Sequence, residues 1–305
     1  MNRSISTGPT RASAHALGAT RALPFSRALS FSRKPPFLSR DRKGAAIVAA
    51  FFSLLSLLSP LYAQPPAGGG GGRGGRGGAG GGRGAAPTPQ ASAIFDMTGY
   101  WVSVVTEDWR YRMVTPPKGS FLGVPISGAG RAVANAWDPA KDEAAGQQCK
   151  SYGAAAIMRV PGRFHITWDN PTTMKIEADS GTQMRVFHFG GTAPSDTQPS
   201  WQGYSVAEWE PFAGAARGAP RTGDLKVTTS HMLPGYLRKN GVPYSADAQL
   251  TEWFDRITAA NGDTWLVVTT QVVDPMYLTM PFVTTTHFEK QTDATGFSPS
   301  ACEAK

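Results

Sequence analysis

Short runs of apolar and β-branched residues, separated by turn-forming residues, begin near residue 95 and continue to the C-terminus. Runs of this kind, bounded by Gly, Pro, Asn and Asp, indicate β-strands. Nine runs fit the description, at 100–105, 163–168, 173–178, 182–189, 203–210, 225–231, 249–257, 264–273 and 282–289. Because no long helix separates them, they predict an all-β fold, an antiparallel meander of eight to nine strands that closes into a barrel or folds as two sheets.

A short helical insert is predicted near 127–147. Ser127 precedes the segment GAGRAVANAW and is a good N-cap, while Asp138 and Pro139 open a second short segment, AKDEAAGQQ. Serine and aspartate at the N-cap and proline in the first turn are typical helix starts. Further on, Asn261-Gly262 is the clearest hairpin turn in the chain.

Residues 1–63 have the pattern of a signal peptide with a long basic n-region. Residues 45–58 are apolar apart from two serines and follow a charged stretch at 40–43. This anatomy predicts export to the periplasm or the medium, with cleavage after Ala63. An uncleaved anchor is the alternative, although a membrane-spanning helix needs about 20 apolar residues. The sequence leaves open whether the first 40 residues are translated.

Residues 64–94 form a linker rich in Gly, Arg and Pro, and the foldable domain is predicted at 95–305. Of the 30 Lys/Arg, nine lie in 1–63 and three in 64–94, which leaves 18 basic against 21 acidic residues in the domain. The basic character therefore belongs to the leader and linker. The linker composition predicts a disordered tether, and no nucleic-acid partner is expected.

The only two cysteines, Cys149 and Cys302, both lie in the domain. In an exported protein such a pair predicts one disulfide, which would tie the first third of the domain to its tail. Two unpaired thiols are the alternative.

Several blocks between about residues 125 and 302 resemble a family of uncharacterised secreted bacterial proteins. Residues 199–205 with Trp209-Glu210 resemble its P-x-W-x-G-x-S…W-E pattern, and 274–282 resemble D-P-x-x-Y-x-x-P-W. The chain departs from the family at Pro211-Phe212, where the family has Gly-Asp, and at Trp253, where it has Arg. The resemblance implies a lipocalin-like β-barrel and supplies no catalytic residues.

Two carboxylates on one predicted strand are the first candidates for chemistry. Glu208 and Glu210 are two residues apart and point to the same face, with Trp209 opposite. On an inward face of a barrel they would be candidates for acid–base catalysis or for orienting a polar ligand; a solvent face or a salt bridge to arginine is the alternative. The weak catalytic candidates are Glu208, Glu210, His231 and His188, and the predicted ligand-binding residues are Glu210, Tyr204, Trp209 and His231.

A second candidate lies at 107–112, where Glu107 and Asp108 precede Trp109-Arg110-Tyr111-Arg112. The alternation of aromatic and charged residues predicts a strand with one wet face. A carboxylate- or sugar-binding patch is the functional interpretation, and an ordinary amphipathic edge is the alternative.

These observations leave three classes of function open. The leading one is a barrel that binds a small apolar or amphipathic molecule. The second is a cofactor-independent lyase, hydratase or isomerase with a Glu/His acid–base pair, and the third is an envelope interaction module. A closed lumen containing Glu208 and His231 would favour the enzyme, an apolar lumen the carrier, and a filled core the interaction module. No cofactor is expected, no histidine spacing indicates a metal site, and a membrane contact is expected only through an uncleaved leader.

Overall fold

The computed structural model describes residues 85–213 and 222–305, and the predicted signal peptide and most of the predicted linker lie outside these ranges. Nine strands close into a barrel. Their bounds are β1 Gly99–Val104, β2 Arg163–Asn170, β3 Thr173–Ala178, β4 Gln183–Phe189, β5 Tyr204–Pro211, β6 Gly223–Ser230, β9 Gln249–Thr258, β10 Thr264–Val273 and β11 Phe282–Gln291. The predicted all-β barrel is confirmed, and each of the nine predicted runs corresponds to one of these strands.

Barrel closure comes from the pairing of β1 with both β11 and β2. The order around the barrel is β1-β11-β10-β9-β6-β5-β4-β3-β2. All neighbours are antiparallel except β4 and β5, which pair in parallel through Phe187 and Ser205. The meander is therefore interrupted once, because the connection at 190–203 carries the chain back along the barrel before β5 begins.

A two-stranded sheet that the sequence pattern does not reveal lies between β6 and β9. It consists of β7 Gly235–Arg238 and β8 Val242–Tyr244. The turn that joins them contains Gly241 at φ 80°, where a Cβ atom would lie 2.2 Å from Cγ of Trp137. Only glycine fits this position, because the backbone is left-handed and a tryptophan ring covers it.

The helical insert covers one end of the barrel. Its helices are α1 Trp109–Arg112, α2 Gly128–Ala136, α3 Pro139–Ala144 and α4 Ala154–Ile157, with a 3-10 helix at Gln148–Tyr152. The two predicted N-caps are confirmed: Ser127 accepts a hydrogen bond from the backbone N–H of Gly130, and Asp138 accepts one from that of Ala140. The expectation of a strand at 109–112 is wrong, since these residues form one helical turn. No helix among the described residues is long and apolar enough to cross a membrane.

We call this end of the molecule the cap; it comprises residues 105–162, 231–248 and 274–281. These segments meet at one end because β1, β6 and β10 end beside the starts of their antiparallel neighbours β2, β9 and β11. Asp274 fixes the last of them, since its buried carboxylate accepts hydrogen bonds from the backbone and hydroxyl of Ser245 and from the backbone of Met276 and Tyr277. The Asp-Pro motif at 274–275 thus organises the β10–β11 connection.

Two apolar clusters fill the domain. One occupies the barrel interior and includes Trp101, Phe187, Phe254 and Phe288, each fully buried. The other lies between the barrel and the cap and includes Tyr244, Leu250 and Val272. The barrel is thus packed with side chains along these strands, as small barrels are.

The predicted disulfide between Cys149 and Cys302 is confirmed. It joins the 3-10 helix of the cap to the C-terminal tail across 153 residues of sequence. The amide of Gln183, at the start of β4, lies 3.8 and 3.5 Å from the two sulfur atoms. The bridge therefore fastens the cap to the edge of the barrel.

The segment before β1 lies at the end of the barrel opposite the cap. The indole N–H of Trp209 donates to the carbonyl of Pro89, and the backbone N–H of Gln90 donates to the carbonyl of Pro171 in the β2–β3 turn. Residues near 89–90, assigned to the linker from sequence, are thus hydrogen-bonded to the barrel.

Candidate functional site

The two carboxylates singled out from sequence lie on the outer surface of the barrel. The inward positions of β5 are Ser205, Ala207 and Trp209, so Glu208 and Glu210 face solvent. Lys226 on β6 pairs with both, at 3.2 Å from Glu208 and 2.9 Å from Glu210. Their side chains are 62% and 43% exposed. The arrangement is a surface ion-pair network. It matches the alternative of a solvent face, with the ion pairs made to a lysine and not to an arginine.

Of the other candidates, Trp209 packs against the barrel core, whereas His188, Tyr204 and His231 lie on the outer wall. His188 stacks on Tyr204 with ring centroids 4.4 Å apart, and burial lowers the pKa of His188. His231 follows β6 with φ 56°, and its ring lies 2.8 Å from the hydroxyl of Ser230. Glu208 is paired in register with Lys226, five residues before His231, a separation of about 16 Å along a strand. The structure does not bring Glu208 or Glu210 together with His231.

Inside the barrel, one layer of inward positions is polar. Arg185 and Glu252 form a two-pronged ion pair at 3.0 and 2.5 Å, with side chains 1% and 0% exposed. Arg185 also lies 3.4 Å from the hydroxyl of Thr229, which is 2.8 Å from that of Ser205. This layer separates the two apolar clusters. On β9, Glu252 lies between Phe254, which belongs to the barrel cluster, and Leu250, which belongs to the cluster beside the cap. Its one positive and one negative charge balance each other, and Nε of Arg185 is buried without a hydrogen-bond partner in the protein.

A second group of buried arginines lies within the cap. Arg112, Arg159 and Arg238 are 7%, 5% and 4% exposed, and all three line a cavity of about 230 Å³. They come from different elements: Arg112 ends α1, Arg159 follows α4, and Arg238 ends β7. We call this cavity the arginine pocket. The remainder of its lining is Tyr111, Met113, Ser151, Ala156, Val160, Pro161, Ser180, Leu237 and Lys239.

Two carboxylates from the start of the cap balance part of this charge. Glu107 pairs with Arg112, and Asp108 accepts a hydrogen bond from Nη2 of Arg159 at 3.0 Å. Asp108 reaches Arg159 from a left-handed backbone, φ 51°, at the N-terminus of α1. A non-glycine residue in this conformation is uncommon, and such backbones concentrate at functional sites.

Arg238 has no carboxylate partner within the described part of the chain. Its Nη1 donates to the carbonyl of Leu122 at 2.7 Å, and its guanidinium lies over the ring of Tyr111 at 4.4 Å. Lys239 lies next to it on the pocket wall. Four basic side chains therefore line the pocket against two carboxylates, which leaves an excess of about two positive charges.

Each of the three arginines also keeps one buried nitrogen without a hydrogen-bond partner in the protein. These atoms are Nη2 of Arg112, Nη1 of Arg159 and Nε of Arg238. Buried N–H groups of charged side chains are costly to leave unpaired. Burial lowers the pKa of all three arginines, and for Arg238 burial followed by repulsion from Arg159 lowers the pKa to about 10. The pocket is therefore short of negative charge and of acceptors, which a bound anion supplies.

Sequence reasoning found only one edge of this site. The patch at 107–112 contributes Glu107, Asp108, Tyr111 and Arg112, whereas Arg159 and Arg238 carried no signal. Within the described residues, no group of three or more His, Cys, Asp or Glu side chains is placed to hold a metal ion. Comparisons with protein-family models, curated proteins and solved structures find no match to this chain.

Proposed function

We propose that this chain is an exported binding protein for a small amphipathic molecule whose anionic group, a phosphate or a carboxylate, occupies the arginine pocket. The observation that carries the proposal is the convergence of three buried arginines, with two balancing carboxylates, on one cavity. Arginine suits this task because its planar fork of N–H donors matches both anions.

The cavity also explains why an amphipathic ligand fits better than a bare ion. Half of the wall is apolar, with Met113, Val160 and Leu237 beside the basic groups. Its volume of about 230 Å³ lies below the roughly 300–1,000 Å³ typical of sites that enclose a whole drug-sized ligand. The pocket therefore suits an anionic group and a short apolar extension, and the rest of a larger ligand would lie outside it.

Isothermal titration calorimetry with inorganic phosphate and with hexanoate tests the proposal. Replacing Arg238 by Met removes one charged donor and keeps an unbranched side chain over Tyr111. Loss of a charged hydrogen bond of about 1.5–3 kcal/mol corresponds to an affinity loss of about 10- to 150-fold.

Arg256→Met is the matched control, because Arg256 lies on β9, away from the pocket lining. We expect it to leave both affinities unchanged. Equal affinities for the wild type and for Arg238→Met, with both proteins folded by circular dichroism, would show that the pocket is not the binding site.

A further inference from the structure

Large apolar side chains are exposed around the mouth of the arginine pocket. Leu122, Val114 and Met113 are 73%, 66% and 59% exposed, and Trp109 is 54% exposed. All four belong to the segment that joins β1 to α2. Two methionines of the β10–β11 connection, Met276 and Met280, are 48% and 63% exposed. We call these six side chains the apolar rim.

The two parts of the apolar rim belong to one surface of the cap. The backbone N–H of Thr279 donates to the carbonyl of Pro125, and the backbone N–H of Ser127 donates to the carbonyl of Tyr277. The connection at 274–281 therefore lies against the end of the 105–127 segment. A bridge between Ile126 and Leu278 completes this contact. The connection that carries the two methionines is thus held against residues 125–127, which follow Leu122 in the chain.

The apolar rim is continuous with the pocket. Met113 lines the cavity itself, and the carbonyl of Leu122 accepts the hydrogen bond from Arg238. Arg110 and Lys118 are exposed on the 105–127 segment, and Arg131 is exposed on α2, which follows it. Glu107 and Asp108, the acidic residues of the segment, pair with the pocket arginines. Exposed aromatic, aliphatic and basic side chains thus lie on segments of the cap that adjoin a cationic cavity.

This combination matches the chemistry of an anionic lipid surface. Tryptophan partitions to the membrane interface, apolar side chains enter the acyl boundary, and each Lys or Arg near an anionic surface contributes about 1 kcal/mol. A pocket of about 230 Å³ holds a phosphate-containing headgroup and leaves the acyl chains outside, where the apolar rim lies. Residues 89–90 contact the opposite end of the barrel.

We infer that the cap is a docking surface for a membrane containing anionic phospholipids, in which the arginine pocket takes the phosphate of one headgroup and the apolar rim enters the interface. This inference rests on the proposed function, since it names the class of ligand that the pocket receives and where that ligand is presented. It assigns the barrel a membrane contact of its own, independent of any anchor in the leader.

Vesicle flotation tests the inference with the full chain recovered from an oxidising compartment. Vesicles of phosphatidylcholine alone are compared with vesicles of equal parts phosphatidylcholine and phosphatidylglycerol. The rim variant Trp109→Ser/Leu122→Ser is compared with Phe212→Ser/Ile257→Ser, because Phe212 and Ile257 are 54% and 47% exposed at the opposite end of the barrel. Any contribution from residues 1–84 is the same in all variants.

We expect the wild type and the control variant to bind the phosphatidylglycerol vesicles at least about tenfold more tightly than phosphatidylcholine. The rim variant should lose about tenfold in binding to the anionic vesicles and keep its affinity for inorganic phosphate, because its pocket is intact. Arg238→Met should lose the preference for phosphatidylglycerol.

The outcomes separate the docking inference from the proposed function. Phosphate binding without vesicle binding, or a rim variant that floats like its control, overturns the docking surface and leaves the pocket function standing. A dimer in light scattering that the rim variant abolishes, with no flotation, assigns the apolar rim to a second copy instead. Vesicle binding unchanged in Arg238→Met, with no phosphate binding, overturns both proposals.

Discussion

The protein buries arginine in two places, and the two places differ in how the positive charge is balanced. In the barrel interior, Arg185 faces Glu252 one to one, with both carboxylate oxygens engaged. Within the cap, Arg112, Arg159 and Arg238 meet only Glu107 and Asp108. Both clusters keep a buried arginine nitrogen without a hydrogen-bond partner in the protein, Nε of Arg185 among them. The first cluster is charge-balanced, whereas the second retains an excess of positive charge beside a cavity.

The difference also follows the local architecture. Arg185 and Glu252 occupy inward positions of β4 and β9, where the barrel wall fixes the geometry on both sides. The three cap arginines come from a one-turn helix, a loop and the end of a two-stranded sheet. Binding sites typically lie on connecting segments held by a rigid scaffold. The two clusters thus differ in charge balance and in placement, and the proposed function assigns binding to the second.

The largest effect is expected from removing the disulfide that joins the cap to the C-terminal tail. In the chain-entropy model, a disulfide closing 153 residues contributes about 5 kcal/mol to the free energy of unfolding. Cys149→Ser/Cys302→Ser should therefore lose about that amount in guanidinium denaturation. Because the 3-10 helix of the cap is tied directly by the bridge, phosphate affinity should fall as well.

Full reduction of the wild type provides the control for this variant, and it should reproduce the same loss. If the reduced protein had the same free energy of unfolding as the oxidised wild type, packing alone would hold the cap. The cap and the barrel would then unfold as one cooperative unit.

Breaking the Arg185–Glu252 pair should lower the free energy of unfolding by nearly as much, without affecting phosphate binding. Glu252→Gln leaves Arg185 buried and uncompensated, which typically costs about 3–5 kcal/mol. The double variant Arg185→Met/Glu252→Leu removes both charges and should recover most of that loss. Urea denaturation measures both, and phosphate affinity should stay at the wild-type value as long as the protein is folded.

Lys226→Met serves as the surface counterpart, since Lys226 pairs with the exposed Glu208 and Glu210. Exposed pairs contribute about 0–1 kcal/mol, so this change should be small. If Glu252→Gln were as mild as Lys226→Met, the interior cluster would not have the stabilising role that separates it from the cap.

The barrel could be predicted from sequence because its strands are long and locally marked. Apolar runs bounded by turn residues located all nine strands, and the two N-caps located α2 and α3. The sheet of β7 and β8 was missed because its strands are four and three residues long and Pro243 interrupts one of them. The parallel pairing of β4 with β5 was missed because pairing direction depends on a connection without periodicity.

The candidate site was harder to predict, for physical reasons. Strand periodicity places Glu208 and Glu210 on the same face, but the choice of inward face is decided by Ala207 and Trp209, which pack in the barrel. The arginine pocket is assembled from a one-turn helix, a loop and a strand end that together span more than 120 residues of sequence. Sequence spacing indicates only which residues are close along the chain. It therefore pointed to the pocket residues at 107–112 and not to Arg159 or Arg238.

The smallest effect expected concerns the acid stability of the cap. Burial by itself raises the pKa of Glu107, but hydrogen bonds with His287 and Thr106 and the charge of Arg112 outweigh it, so the pKa lies below the ordinary 4.5. A carboxylate whose pKa is depressed by folding stabilises the protein above its unfolded pKa, and that contribution is lost as the pH falls through the folded pKa. The wild type should therefore exceed Glu107→Gln in unfolding free energy near neutrality, with a difference that shrinks below about pH 4.5.

Asp224 provides a control of opposite sign for this prediction. Burial, followed by repulsion from Asp255 and Glu210, raises the pKa of Asp224. Its ionised form is therefore unfavourable in the folded state, so Asp224→Asn should gain stability at neutral pH and lose that gain in acid. Urea denaturation across the acid range measures both differences. A pH-independent gap between the wild type and Glu107→Gln would mean that Glu107 does not act as an ionised partner of Arg112, and the cap would then hold even more uncompensated charge than the structure indicates.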